Sequence, residues 1–237
     1  MAPGPSAGGA ADQISLWVVD LDRWESKGLD PATLSRGDRS QAGRLRDPRL
    51  GARLLARRSL TRTILSQELR ISAADLVISR SCPTCGSSDH GRPSVAGSPL
   101  AFSVTSSGAI AAVAIARSPV GVDIEIERSD VDPQLAALSG VEQRLLAAMP
   151  ADRRGSGFFR LWTAKEAVIK AGGGTLGRDP ATVDVSGILS ADQVVAGDGE
   201  RQWHVRQLIV DRRPEGPVVL ALADAAGNPV VRRSVDV

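Results

Sequence analysis

Residues 120–127 read Val-Gly-Val-Asp-Ile-Glu-Ile-Glu, in which apolar residues hold every second position and the carboxylates stand between them. Side chains on a β-strand point alternately to its two faces. Val120, Val122, Ile124 and Ile126 are therefore predicted to enter a core, and Asp123, Glu125 and Glu127 to line the opposite face. Three carboxylates on one strand face repel each other unless a cation sits among them. A hard divalent ion such as Mg²⁺, taking a few carboxylates plus substrate phosphate oxygens, would answer that repulsion. A solvated acidic face softened by arginines answers it as well, and the strand alone leaves both readings open.

The second informative segment is Phe158-Phe159-Arg160-Leu161-Trp162-Thr163-Ala164-Lys165-Glu166-Ala167-Val168-Ile169-Lys170-Ala171. At helical spacing Phe158, Trp162 and Ile169 share an apolar stripe, and Glu166 and Lys170 share a face with Lys165 beside them. One reading is a surface Glu–Lys pair worth about 0.2–0.5 kcal/mol. The other is a carboxylate completing a metal site, with lysine nearby to steady phosphate charge.

Around these segments the chain alternates strand-like and helix-like stretches. Residues 1–12 read as a disordered leader and Ile14–Leu21 as a first strand. From Asp30-Pro31 to Leu69 the pattern is helical and arginine-rich, with Leu50, Leu54, Thr61 and Leu65 as the buried stripe and Arg49, Arg53 and Arg57 on one flank. Residues 79–99 carry turn chemistry and read as a loop. Leu100–Val104 and Ile110–Ala116 form a predicted hairpin, and Ser118-Pro119 marks a seam before the acidic strand. Ser139 and Glu142 make a capping box that opens one helix. A second helix is predicted over 156–171, ending at Gly172-Gly173-Gly174, and strands fill the rest from Val183. The expected organisation is a leader (1–12), an N-terminal α+β half (13–118) and a C-terminal α+β half (119–237). No short-period repeat is visible in the letters.

Composition excludes some classes. The net charge of +2 gives no basic field for nucleic acid, and aromatics at 3% leave few stacking platforms. No run is long and apolar enough to span a membrane, so a cytoplasmic protein is expected. Two cysteines, Cys82 and Cys85, are too few for a disulfide framework. With His90 they could begin a zinc site, but only His204 remains as a fourth ligand.

Taken together, Gly-Val-Asp-x-Glu and Trp-Thr-x-Lys-Glu-Ala-x-x-Lys resemble the paired signature of the surfactin-type 4′-phosphopantetheinyl transferases. His90-Gly91-Arg92-Pro93 is similar to that family's Gly-Lys-Pro step, with arginine for lysine. Phe102-Ser103-Val104-Thr105-Ser106-Ser107 is similar to its Phe-Asn-x-Ser-His-Ser strand. The resemblance covers residues 45–176. It implies an α+β pseudo-dimer of two similar halves with coenzyme A in the cleft between them. It also implies transfer of the 4′-phosphopantetheine arm to a serine of an acyl or peptidyl carrier protein, releasing 3′,5′-ADP.

By the same resemblance Asp123, Glu125 and Glu166 would bind Mg²⁺, with Glu166 as general base and Lys170 stabilising charge at the attacked phosphorus. Arg53, Arg57 or Arg58, together with Arg92, Thr105, Ser106 and Lys165, are the candidates for gripping coenzyme A. Ser106 stands where the family has a phosphate-contacting histidine, which points to an altered phosphate grip compensated by an arginine such as Arg92. Some bacterial members carry a similar Cys-x-x-Cys before the Arg-Pro step, so the cysteines read as a structural loop. A non-catalytic relative that binds coenzyme A or a carrier protein is the alternative. The carriers could serve fatty-acid, polyketide or non-ribosomal peptide synthesis, and a monomer is expected because the fold already pairs two halves.

Overall fold

The computed structural model describes residues 12–235 except 83–84, 88–90, 129–133, 175–178, 198, 200 and 215, and omits the side chains of 27 and 28. The expected leader, apart from Asp12, and His90 lie outside the described residues. In chain order the elements are β1 (Ile14–Asp20), α1 (Leu21–Gly28), α2 (Arg36–Gly43), α3 (Pro48–Leu69), β2 (Ile78–Ser81), β3 (Arg92–Val95), β4 (Ala101–Ser107) and β5 (Ile110–Ala116). Then follow β6 (Val120–Ile126), α4 (Gly140–Ala148), α5 (Ala151–Ala171), β7 (Gln193–Gly197), β8 (Gln202–Arg213), β9 (Gly216–Asp224) and β10 (Val230–Arg232).

Two four-stranded sheets carry the fold, ordered β10-β1-β5-β4 and β6-β9-β8-β7, beside a β2-β3 ribbon. Each opening strand, β1 or β6, pairs antiparallel with a later strand of its half, β5 or β9, and that strand pairs with the one before it, β4 or β8. Both halves thus run strand, helices, strand, strand in the same spatial order, the α+β pseudo-dimer that the resemblance implied. The repeat lies in connectivity, which short-period letter matching does not see.

Alternation explains how the layers stack. On β5, Ala111, Val113 and Ile115 pack with Ala56, Leu60, Ile64 and Leu65 of α3. Its other face, Ile110, Ala112, Ala114 and Ala116, meets Val120, Val122 and Ile124 of β6 and Val218, Leu220 and Leu222 of β9. Ala221 and Ala223 of β9 then face α5. The order is helix, sheet, sheet, helix, so β5 is covered on both faces and reads as an unbroken apolar run. Three alanines on its inter-sheet face let the two sheets approach closely.

Several elements differ from expectation. The helical region after Asp30 is a 3₁₀ turn (Pro31–Thr33) followed by two helices. Of the expected stripe of α3, Thr61 and Leu65 are buried, beside Ala56, Leu60 and Ile64, whereas Leu54 is half-buried and Leu50 is 51% exposed. The first turns of α3 instead rest on α2, where Gly51 sits against the Ala42 carbonyl. Within residues 79–99 the ribbon β2-β3 is present. α5 begins at Ala151 rather than 156; Gly155 and Gly157 weaken helical propensity, but Gly157 admits Leu146 of α4 and Met149 just beyond its end. The last strand, β10, pairs in parallel with β1 in the sheet of the other half.

Gly121 makes the approach of α5 to β6 possible. A Cβ there would lie 1.9 Å from the Ala167 carbonyl oxygen and 2.5 Å from the Ala171 nitrogen. Gly121→Ala is expected to cost about 3 kcal/mol by overpacking, lowering Tm by roughly 6–12 °C for a chain of this size. A thermal melt indistinguishable from the parent would show that α5 is not seated as described.

Candidate active site

β6 and α5 run side by side, and their facing surfaces bring four sequence-predicted residues together. Asp123, only 4% exposed, accepts from Lys170 Nζ at 2.6 Å and from Thr105 Oγ1 at 2.9 Å, both on Oδ1. Its other oxygen, Oδ2, is buried with no hydrogen-bond partner. Glu125, two residues along the same face, accepts from Ser107 Oγ at 2.7 Å. Burial pushes the Glu125 carboxyl above its ordinary range; Ser107 opposes this and Asp123 adds to it. Glu166, one helical turn before Lys170, is likewise pushed up by burial; Lys170 pulls it down, while Asp123 and Glu125 raise it further. Glu127, the third carboxylate of the strand motif, accepts from Ser156 Oγ near the start of α5 instead.

The N-terminal half supplies the other wall. β4 and β6 are edge strands of their sheets, and a row of hydroxyls joins them. Ser103 Oγ accepts the Val122 N–H at 3.1 Å, and Ser107 Oγ accepts the Ile126 N–H at 3.2 Å. Thr105 stands between these two and holds Asp123. The opposite face of β4 presents Ser106, whose Oγ accepts from Arg57 Nη1 at 2.9 Å. Burial lowers the pKa of Arg57, with Arg58 and Arg80 adding repulsion, and no carboxylate among the described residues pairs with it. It is a desolvated guanidinium suited to an anion.

Two predicted ligands of coenzyme A are not delivered there. Lys165 is fully buried on the far side of α5, paired with Glu142 at 2.6 Å and donating to the Pro180 (2.9 Å) and Val183 carbonyls. Neighbours on a helix do not face the same way, so adjacency to Glu166 in sequence placed it wrongly. Glu142 also accepts the Ser139 and Val185 N–H groups, which makes the capping-box residue a buried anchor for three segments. Arg53 closes a two-pronged pair with Asp22 of α1 at 2.8 Å on each prong. Arg58 lies 3.5 Å from Asp38. Arg92 crosses from β3 to donate to the Ala171 carbonyl at the end of α5, and its Nε is buried without a partner.

The sequence reading left Ser107 and Arg80 unassigned. The period-2 row Ser103-Thr105-Ser107 was the available signal for the first, but Arg80 was hidden in a region read as loop. Cys82 is buried and Cys85 exposed, while His204 belongs to β8, beside Gly227. Among the described residues no group of three or more His, Cys, Asp and Glu side chains is arranged to hold a metal ion, and no helix is long and apolar enough to cross a membrane. A cation nevertheless suits the donor set. One Asp123 oxygen is orphaned, and Glu125 and Glu166 are both held up by burial and by repulsion from Asp123.

Residues 119–223 match the sequence model of the 4′-phosphopantetheinyl transferase superfamily. Over 171 residues the chain is 32% identical to the 4′-phosphopantetheinyl transferase HetI of Nostoc sp. (strain PCC 7120 / SAG 25.82 / UTEX 2576), an alignment spanning 69% of this chain and 70% of that protein. The chain belongs to this superfamily. The matched stretch contains the whole β6–α5 unit, so Asp123, Glu125, Glu166 and Lys170 all fall inside the part most recognisable as a phosphopantetheinyl transferase.

Two expectations follow from the geometry. Lys165→Met should cost about 3–5 kcal/mol in chemical denaturation because it strands the buried Glu142 charge, and adding Glu142→Gln should recover part of that loss. A small effect of Lys165→Met with impaired coenzyme A binding would return Lys165 to the cleft. Secondly, a carboxyl whose folded pKa is raised contributes stability below its unfolded pKa and loses it as pH rises through the folded value. With chelator present, Glu166→Gln should therefore melt at or above the parent at pH 7, and its advantage should shrink by pH 5. Melting clearly below the parent at pH 7 would contradict the repulsive cluster.

Proposed function

We propose that this protein is a Mg²⁺-dependent 4′-phosphopantetheinyl transferase that moves the phosphopantetheine arm of coenzyme A onto a serine of an acyl or peptidyl carrier protein. The observation that carries the mechanism is the set of buried Asp123 with half-buried Glu125 and Glu166, in which Lys170 holds one Asp123 oxygen and the other is orphaned. Asp123, Glu125 and Glu166 would hold the divalent cation. When bound, the cation supplies Lewis-acid neutralisation of the pyrophosphate charge.

The remaining roles belong to the chain's own side chains. Thr105 and Ser107 fix Asp123 and Glu125 from the opposite half, so the carboxylates are pre-positioned rather than ordered at the moment of reaction. Lys170 places a cation beside the phosphorus under attack. Arg57, oriented by Ser106, would grip a coenzyme A phosphate, which supports reading the altered histidine position as a compensated one. The carrier serine oxygen forms a bond to the β-phosphorus while the bond to 3′,5′-ADP breaks. The serine proton passes to the Glu166 carboxylate, directly or through water. Such a transfer depends on positioning and charge neutralisation more than on covalent help from the protein.

The test is intact-mass spectrometry of an apo carrier protein incubated with the protein, coenzyme A and Mg²⁺. One added phosphopantetheine is expected, abolished by chelation and slowed at least about 100-fold in Glu166→Gln. Coenzyme A binding without mass gain across several carriers would instead favour a non-catalytic relative.

A further inference from the structure

A second convergence of charge lies at the other edge of the sandwich from the β4–β6 seam. A cavity of about 530 Å³ opens there, its walls carrying Arg23, Arg213, Arg232 and Arg233 with Asp20 and Asp211. Val18 and Val210, at the margin of the inter-sheet core, contribute an apolar floor. Both halves build it: Arg23 stands in the first turn of α1, Arg232 and Arg233 at the end of β10, and Arg213 at the end of β8. In sheet order, β1 and β10 lie away from β4, as β8 lies away from β6. None of the candidate active-site residues lines this cavity.

Its two carboxylates are already committed. Asp20 gives one oxygen to the N-cap of α1 and the other to Arg213 at 2.9 Å. Asp211 gives one oxygen to the Arg212 N–H and the other to Arg213 at 2.8 Å. Arg213 is thereby clamped, and its Nε is buried without a partner. The guanidinium groups of Arg23, Arg232 and Arg233 form no ion pair or hydrogen bond among the described residues. Four guanidinium groups against two carboxylates leave the cavity with an excess charge of +2. Positive groups gathered around one hollow repel each other, and a multiply charged anion removes that cost while using their planar donor forks.

We propose that this cavity binds a compact phosphate-bearing polyanion that bridges the two halves. The convergence on a hollow favours a small anion over an acidic protein surface, which needs basic charge spread across an exposed face. The site is independent of the transferase cleft and of any metal there.

Calorimetric titration of the whole protein with inorganic pyrophosphate, in chelator, tests it. One saturable site is expected, weakened roughly tenfold or more by Arg23→Ala and by the pair Arg232→Ala with Arg233→Ala, and unchanged by Arg57→Ala. These three arginines are exposed, so melting temperatures should stay at the parent value. Absence of saturable binding, indifference to these substitutions, or loss of binding in Arg57→Ala would each overturn the proposal, the last by placing the anion in the transferase cleft.

Discussion

The close seating of α5 on β6 governs the rest of the molecule. It depends on one missing side chain, because the helix backbone occupies the space that a Cβ at Gly121 would need. This contact sets the height of Glu166 and Lys170 above Asp123 and Glu125. A strand offers carboxylates at fixed two-residue intervals and a helix offers side chains at three- and four-residue intervals. Only close approach lets the two rulers meet at one point. The glycine therefore has a reason to stand beside the acidic pair that is separate from the chemistry of the pair itself.

The second constraint is the join between halves. Sandwich edges normally leave backbone groups open, yet here Ser103 and Ser107 close two N–H groups of β6 from across the interface. The same hydroxyl row then continues into the carboxylate cluster through Thr105 and the Ser107 donor. Structural sealing and carboxylate positioning are thus carried by one strand face, while the reverse face of that strand presents Ser106 to Arg57. On the far side of α5, the Lys165–Glu142 pair ties the helix to α4 and to residues 180–185. The helix is held from both sides, so the face that carries Glu166 and Lys170 has little freedom to shift.

Much of this was legible in the letters because it is local. The alternation at 120–126, the capping box at Ser139, and the shared face of Glu166 and Lys170 follow from strand and helix periods alone. What escaped depends on partners remote in sequence. Arg53 looks like a companion of Arg57 until Asp22 from another helix claims it. Lys165 looks like a neighbour of Glu166 until the helix turns it toward Glu142. Leu50 keeps the right spacing for a buried stripe, but it is exposed where the first turns of α3 rest on α2. The doubled topology was hidden for a related reason: two halves can share a strand order while sharing few letters.

The pairing of β10 with β1 ties these halves in time as well as in space. Ile14 meets Val230 across a parallel ladder, so the first sheet receives one of its strands only after every strand of the second sheet has been made. During synthesis the opening half can gather its helices and three of its strands, but β1 must keep an unpaired flank until the ribosome has delivered β10. Severing the chain at Ser118-Pro119 would therefore not yield two self-sufficient pieces, because one fragment would carry away an edge of the other.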